Sequence, residues 1–232
     1  EVENLVFRGP PKIHKGTGTI ELQDLRWNAN EGTHGTFLLL GGKGELLDIP
    51  MRNTTGEVHL SPETLSLKRF GTHLLGGTIT SGTLQLGLQA EAPLEITLAF
   101  QGLQLDQLQG EVGMAHSLQG NISGNLAIKS PTPNPLDYIG GGNVKIKNGR
   151  LATVPILTEI WATLGIAPPI FRKGDLEFVL QRGGKIVIPE FSLDHDMMEV
   201  RGKGWVKMDQ SVELQLTLRK MLFLLGLPLD VV

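Results

Sequence analysis

The chain has 232 residues, with 21 Lys plus Arg against 24 Asp plus Glu and a formal charge of −3. A balance this near neutrality supplies no field to hold a polyanion, so no nucleic acid is expected as a partner. Cysteine is absent, which removes disulfides and thiolate metal sites, and glycine, 30 residues, is at about twice its usual share, which points to many turns.

The sequence opens at Glu1 without a charged and apolar leader. Strict alternation of apolar and polar residues, the pattern of a half-buried strand, then appears at Ile20 and Leu22, at Val58 and Leu60, and at Leu65 and Leu67. It is cleanest in "TLQLGL", where Leu84, Leu86 and Leu88 share a face, and in "LEITLAF", where Leu94, Ile96, Leu98 and Phe100 do. After Leu126 and Ile128 the chain reaches "SPTPNPLDYIGGG". These prolines and glycines predict a linker or long loop over 131–142, between an N-terminal part (1–130) and a C-terminal part (143–232) of one continuous body.

Val144 and Ile146 continue the alternation to Asn148-Gly149, a pair suited to a tight turn. The pattern then changes. In "VPILTEIWATLGIAPP", Ile156, Ile160 and Leu164 recur every four residues with Leu157 and Trp161 beside them, which predicts one amphipathic helix over 155–164. Pro155 suits its first turn, and Gly165 with Pro168 and Pro169 its end. Beyond it, "DLEFVLQRGGKIVIPEF" reads as a hairpin about Gly183-Gly184 that carries Phe178, Leu180, Ile186 and Ile188. "MEVRGKGWVKM" and "VELQLTL", with Val212, Leu214, Leu216 and Leu218, extend it to a four-stranded antiparallel meander over 174–218. The closing "MLFLLGLPL" is too short to cross a bilayer and is broken by Gly226 and Pro228.

The expected fold is therefore mainly β: a long antiparallel sheet with one helix. Roughly twelve strands at about 4.8 Å each would make a sheet 55–60 Å wide, and one short helix cannot cover its apolar face. That face must close into a barrel or sandwich with an ordinary core, or curve into an open groove that offers an apolar lining to a ligand. Alternation is compatible with both.

Catalytic and metal-binding patterns are weak. The six histidines, 14, 34, 59, 73, 116 and 195, have no ligand spacing. In "LDHDMM" an extended backbone would turn His195 away from Asp194 and Asp196. "LLLGGKGE" lacks the first glycine of a phosphate loop and has Gly44 where Ser or Thr should follow Lys43. Neither a GxSxG elbow nor a GxGxxG fingerprint is present. No enzyme, no metal and no cofactor is expected.

The order of "GGNVKIKNGRLATVPILTEIWATLGI" and "GDLEFVLQRGGKIVIPEFSLDHDMMEVRGKGWVKMDQSVELQLTL" resembles the C-terminal region of the AsmA-like family. There, a strand ending in a dipeptide such as "NG" runs into a proline-containing amphipathic helix, followed by a hairpin and two further alternating strands. With "LLGGTITSGTLQL", "LQLDQL" and "SLQGNISGNLAIK" upstream, the likeness covers about residues 60–220. The resemblance implies an envelope protein of Gram-negative bacteria, tethered to the inner membrane by a segment absent from this chain. Its periplasmic β-groove would bind phospholipid acyl chains, move phospholipid between inner and outer membranes and sustain outer-membrane homeostasis. On that reading Leu84, Leu86, Leu88, Ile96, Leu98, Phe100, Phe178, Leu180, Ile186, Ile188, Leu214 and Leu216 line the groove, and the helix of Ile156, Leu157, Ile160, Trp161 and Leu164 caps one end. A membrane surface or envelope proteins are further expected partners. The alternative is a scaffold that assists outer-membrane protein assembly through its sheet edges.

Overall fold

Residues that alternate in polarity suit an extended chain, whose side chains point to opposite faces in turn. In the computed structural model they form strands. The structure describes residues 2–7, 13–28, 32–46, 49–88, 93–107, 118–132, 134–151, 162, 167, 169–209, 211–222 and 227–231, with backbone alone for 2–7, 13–16, 46, 118, 151, 220–222 and 227–231. The strands are β1 (Val2–Phe7), β2 (Ile13–Asn28), β3 (Gly32–Leu46), β4 (Ile49–Leu60), β5 (Thr64–Leu74), β6 (Gly77–Gly87) and β7 (Leu94–Gln104). They continue with β8 (Leu118–Ser130), β9 (Ile139–Leu151), β10 (Ile170–Gln181), β11 (Lys185–His195), β12 (Met198–Lys207), β13 (Val212–Leu222) and β14 (Leu227–Val231).

All belong to one 14-stranded antiparallel sheet whose spatial order is the chain order. Each strand makes its substantial contacts only with its neighbours in that order. The sheet is therefore open and, among the described residues, a single layer. Its accessible surface, 14497 Å², exceeds by about 40% that of a compact monomer of this mass.

The proline-rich segment is a connection inside this sheet. It holds the 3-10 helix Pro135–Asp137, capped by Asn134, while residues 139–142, expected in a linker, begin β9, where Gly140, Gly141 and Gly142 pair with both β8 and β10. The residues of the expected helix, Ile156, Leu157, Ile160, Trp161 and Leu164, lie outside the described residues. The strands that they connect, β9 and β10, are neighbours well inside the sheet.

Most strands are longer than the alternation suggested, because β-bulges restart it. A bulge inserts a residue, so two consecutive side chains face away from the apolar side before the pattern resumes. Arg52-Asn53 in β4, Lys68-Arg69 in β5, Thr80-Ser81 in β6 and Pro189-Glu190 in β11 are such exposed pairs. Asn53 and Arg69 adopt left-handed φ of 51° and 52° there. Pro189 fits because a bulge has no ladder hydrogen bond for it to donate.

The best-covered patch is a cluster of Phe171, Phe191, Leu193 and Val200, with Leu176, Ile188, Met198 and Leu218 packed against it. Among the described residues no second layer supplies this cover. Large side chains lie over glycines on adjacent strands: a Cβ added to Gly202 would meet Phe191 Cε1 at 2.5 Å and Leu216 Cδ2 at 2.7 Å, and one on Gly174 would meet Leu193 Cδ2 at 2.7 Å.

Candidate functional site: the apolar face

Residues directly opposite each other in an antiparallel pair share a face, so the register fixes the surface that the sheet presents. One row runs Leu22, Phe37, Val58, Leu67, Leu84 and Ile96 from β2 to β7. It continues without a break through Ile128, Gly140, Leu180, Ile186, Val206 and Val212 to β13. Every member is apolar or glycine. Eleven inter-strand steps of about 4.8 Å make the row about 50 Å long.

A shorter row lies beside it, with Gly82, Leu98, Leu126, Gly142 and Phe178 on β6 to β10. A third joins Ile79, Phe100, Gly124, Val144, Leu176, Phe191, Gly202 and Leu216. Ile188, Gly204 and Leu214 are likewise opposite one another, on β11 to β13. The face is thus apolar several residues deep over most of the sheet.

The residues expected to line a groove fall on this face with one exception. Leu84, Ile96, Leu180 and Ile186 belong to the first row, Leu98 and Phe178 to the second, and Phe100 and Leu216 to the third; Leu86 is opposite Leu94 and Leu65. Leu88 lies past the end of β6 and is exposed. Leu216 is also exposed, and the other ten are half-buried, so their contacts within the layer leave an outer surface uncovered. Alternation missed Phe171 and Phe191 because an exposed polar pair, Arg172-Lys173 in β10 and Pro189-Glu190 at the β11 bulge, separates each from the alternating run beside it. A doublet of polar residues between two alternating runs, as in "FRKG" and "IPEF", is the signal that marks them.

The opposite face is polar and paired. Glu57 accepts from Arg69 and lies 2.7 Å from His59 Nε2, whose other ring nitrogen is 3.3 Å from Thr36 Oγ1. Glu95 pairs with Lys129. The Trp205 ring carries the Lys185 and Lys207 ammonium groups at 4.9 and 5.4 Å, while its N–H donates to Glu213. These are contacts of a solvated face, within strands and between them. Of the weighed Asp194-His195-Asp196, His195 Nδ1 accepts from the Met197 amide in the turn after β11 and Asp196 pairs with Arg172. Lys43, in the glycine-rich segment, lies in β3 opposite Thr17.

Among the described residues no cluster of His, Asp or Glu is placed to hold a metal ion, and no helix is long and apolar enough to cross a membrane. Two small hollows, lined by residues such as Thr36, His59 and Ser61 and by Glu95, Lys129 and Pro131, sit near the strand ends. No protein-family model, curated protein or solved structure matches the chain.

Proposed function

We propose that the chain binds lipid acyl chains along its apolar face and serves in phospholipid transport across the periplasm, as the likeness to AsmA-like proteins suggests. The observation that carries the reading is the unbroken apolar row from Leu22 to Val212 on a face that no second layer covers among the described residues. An acyl chain has no polar group to satisfy and is held by area alone, at about 0.8 kcal/mol per fully buried methylene and about half of that for one-sided contact. A surface of many equivalent leucines and isoleucines gives such a chain no preferred stop. Tails would slide along the row while head groups stay in water, and direction would come from elsewhere.

The test is organic extraction and mass spectrometry of protein purified without detergent, with uptake of a fluorescent fatty acid alongside. Co-purified phospholipid is expected, lost in the Leu84→Asp/Ile128→Asp double variant while circular dichroism still reports a sheet. Lipid-free protein that takes up no probe would end this reading.

One observation favours a scaffold instead: β1 and β14 each pair on one side only, which leaves strand edges able to add a partner's strand.

A further inference from the structure

The sheet is open along most of β2. The partners that β1 offers it end with Val2, opposite Gly18, so among the described residues no strand lies on the outer side of 20–27. This edge is about 26 Å long. Every residue of 21–27 is exposed. Leu22 and Leu25 are 53% exposed and Trp27 74%, whereas Val58, Leu60, Leu65 and Leu67, on the same face of β4 and β5, are half-buried. The outward N–H and C=O groups of such an edge are satisfied by water or by another extended strand.

The bulge between Leu22 and Asp24 gives this edge a particular order. With Gln23 as the extra residue, Ile20, Leu22, Leu25 and Trp27 stand on the apolar face, and Glu21, Gln23, Asp24 and Arg26 on the polar one. Read backwards, the order is its own complement. A second β2 laid antiparallel, about a two-fold axis between Gln23 and Asp24, puts Ile20 opposite Trp27, Leu22 opposite Leu25, Glu21 opposite Arg26 and Gln23 opposite Asp24. Each pair occurs twice and lies on one face. Within one chain the polar members meet only along their own strand: Gln23 Nε2 donates to Glu21 at 2.8 Å, and Arg26 Nε lies 3.0 Å from Asp24 Oδ2.

From this self-complementarity we infer that the chain associates with a second copy of itself through β2, paired antiparallel about a two-fold axis. The free part of β13 offers no such match. β14 covers 218–222 of β13 and leaves 212–217, a shorter edge with Glu213, Gln215 and Thr217 on its polar face and no cation to answer the glutamate. Opposite charges directly across an antiparallel pair stabilise it, and like charges there oppose it, so Glu21 and Arg26 fix the register. The two apolar faces then lie on the same side. The long row, at Leu22, meets the second copy's Leu25, whose own row runs through Gly35, Leu60, Leu65, Leu86 and Leu94. The inference does not depend on what that face binds.

The experiment is sedimentation equilibrium of the whole chain without detergent, with charge-reversal variants. As concentration rises, the parent is expected to approach the mass of two 25.2 kDa chains. Arg26→Glu sets like charges opposite each other twice and should weaken association at least about tenfold, as should Glu21→Arg. The double variant Glu21→Arg/Arg26→Glu, or an equimolar mixture of the two single variants, should restore it, which misfolded chains could not do. The sequence has no cysteine, so a mixture of Leu22→Cys and Leu25→Cys chains should oxidise to covalent dimers. Neither chain should do so alone, because in this register like positions are about 10 Å apart. A parent that stays monomeric, association indifferent to Arg26→Glu, or a double variant that does not recover it would overturn the inference. So would Leu25→Cys chains that cross-link to Leu214→Cys chains and not to Leu22→Cys ones, the result of head-to-tail addition of β2 to β13.

Discussion

Replacing Phe191 with alanine tests how the sheet holds its best-covered patch. Phe191 is 9% exposed, sits opposite Leu176 and Gly202, and covers the glycine with its ring. Phe-to-Ala changes in enclosed cores cost about 3–5 kcal/mol. Phe191 keeps 9% of its surface exposed, so the low end applies: about 3 kcal/mol, or a factor of about 150 in the local opening equilibrium. Because, among the described residues, each strand makes its substantial contacts only with its neighbours, the loss should stay local, as in other architectures whose units contact mainly adjacent units. Hydrogen exchange read by mass spectrometry should show β10 to β13 losing protection while β3 to β6 keep theirs. Leu22→Ala, at a residue already 53% exposed, should cost less than about 1 kcal/mol. Equal loss of protection across the whole sheet, or a Phe191→Ala cost as small as that of Leu22→Ala, would refute the argument.

Gly82→Val would bring a Cβ within 2.9 Å of Leu98 Cδ2 and 3.1 Å of Phe70 Cδ1, and is expected to lower urea stability by about 1–3 kcal/mol. The buried Thr54 and Thr72 hydroxyls are 2.9 Å apart, and Thr72 also donates to the Arg52 carbonyl. Thr72→Val should therefore cost about 1–3 kcal/mol, and adding Thr54→Val should cost little more, as a double-mutant cycle would show. In the β12–β13 turn, hydrogen bonds from Ser211 lower the pKa of Asp209 below the usual carboxylate value. A depressed pKa stabilises the turn above the unfolded-state value, and that contribution is lost as pH falls through the folded-state value. NMR titration should give a low midpoint for Asp209, and the pH dependence of turn protection should vanish in Asp209→Asn.

The face was legible in the sequence wherever alternation ran unbroken, as from Leu94 to Phe100 and from Val212 to Leu218. Strand length was not, because period-two reading stops at each bulge: Leu65 and Leu67 were visible, but Lys68-Arg69 hid the continuation through Phe70 and Thr72. Exposed polar pairs likewise concealed Phe171 and Phe191, which lie beyond Arg172-Lys173 and Pro189-Glu190. Glycine showed only as turns. Many glycines instead lie inside strands, where Gly202, Gly174 and Gly82 make room for the side chains of neighbouring strands. This cross-strand role depends on register, which no local pattern carries. The proline-rich segment suggested a loop between two parts of one body, and β8 and β9 on either side of it pair directly.

The most direct test of the account is to photolabel the protein with a diazirine-bearing fatty acid and locate the adducts residue by residue with tandem mass spectrometry. The account predicts adducts on Leu84, Ile96, Ile128 and Leu180, with their polar-face neighbours Gln85, Thr97, Lys129 and Gln181 unlabelled. Labelling on the polar face, or spread evenly between the two sets, would contradict it.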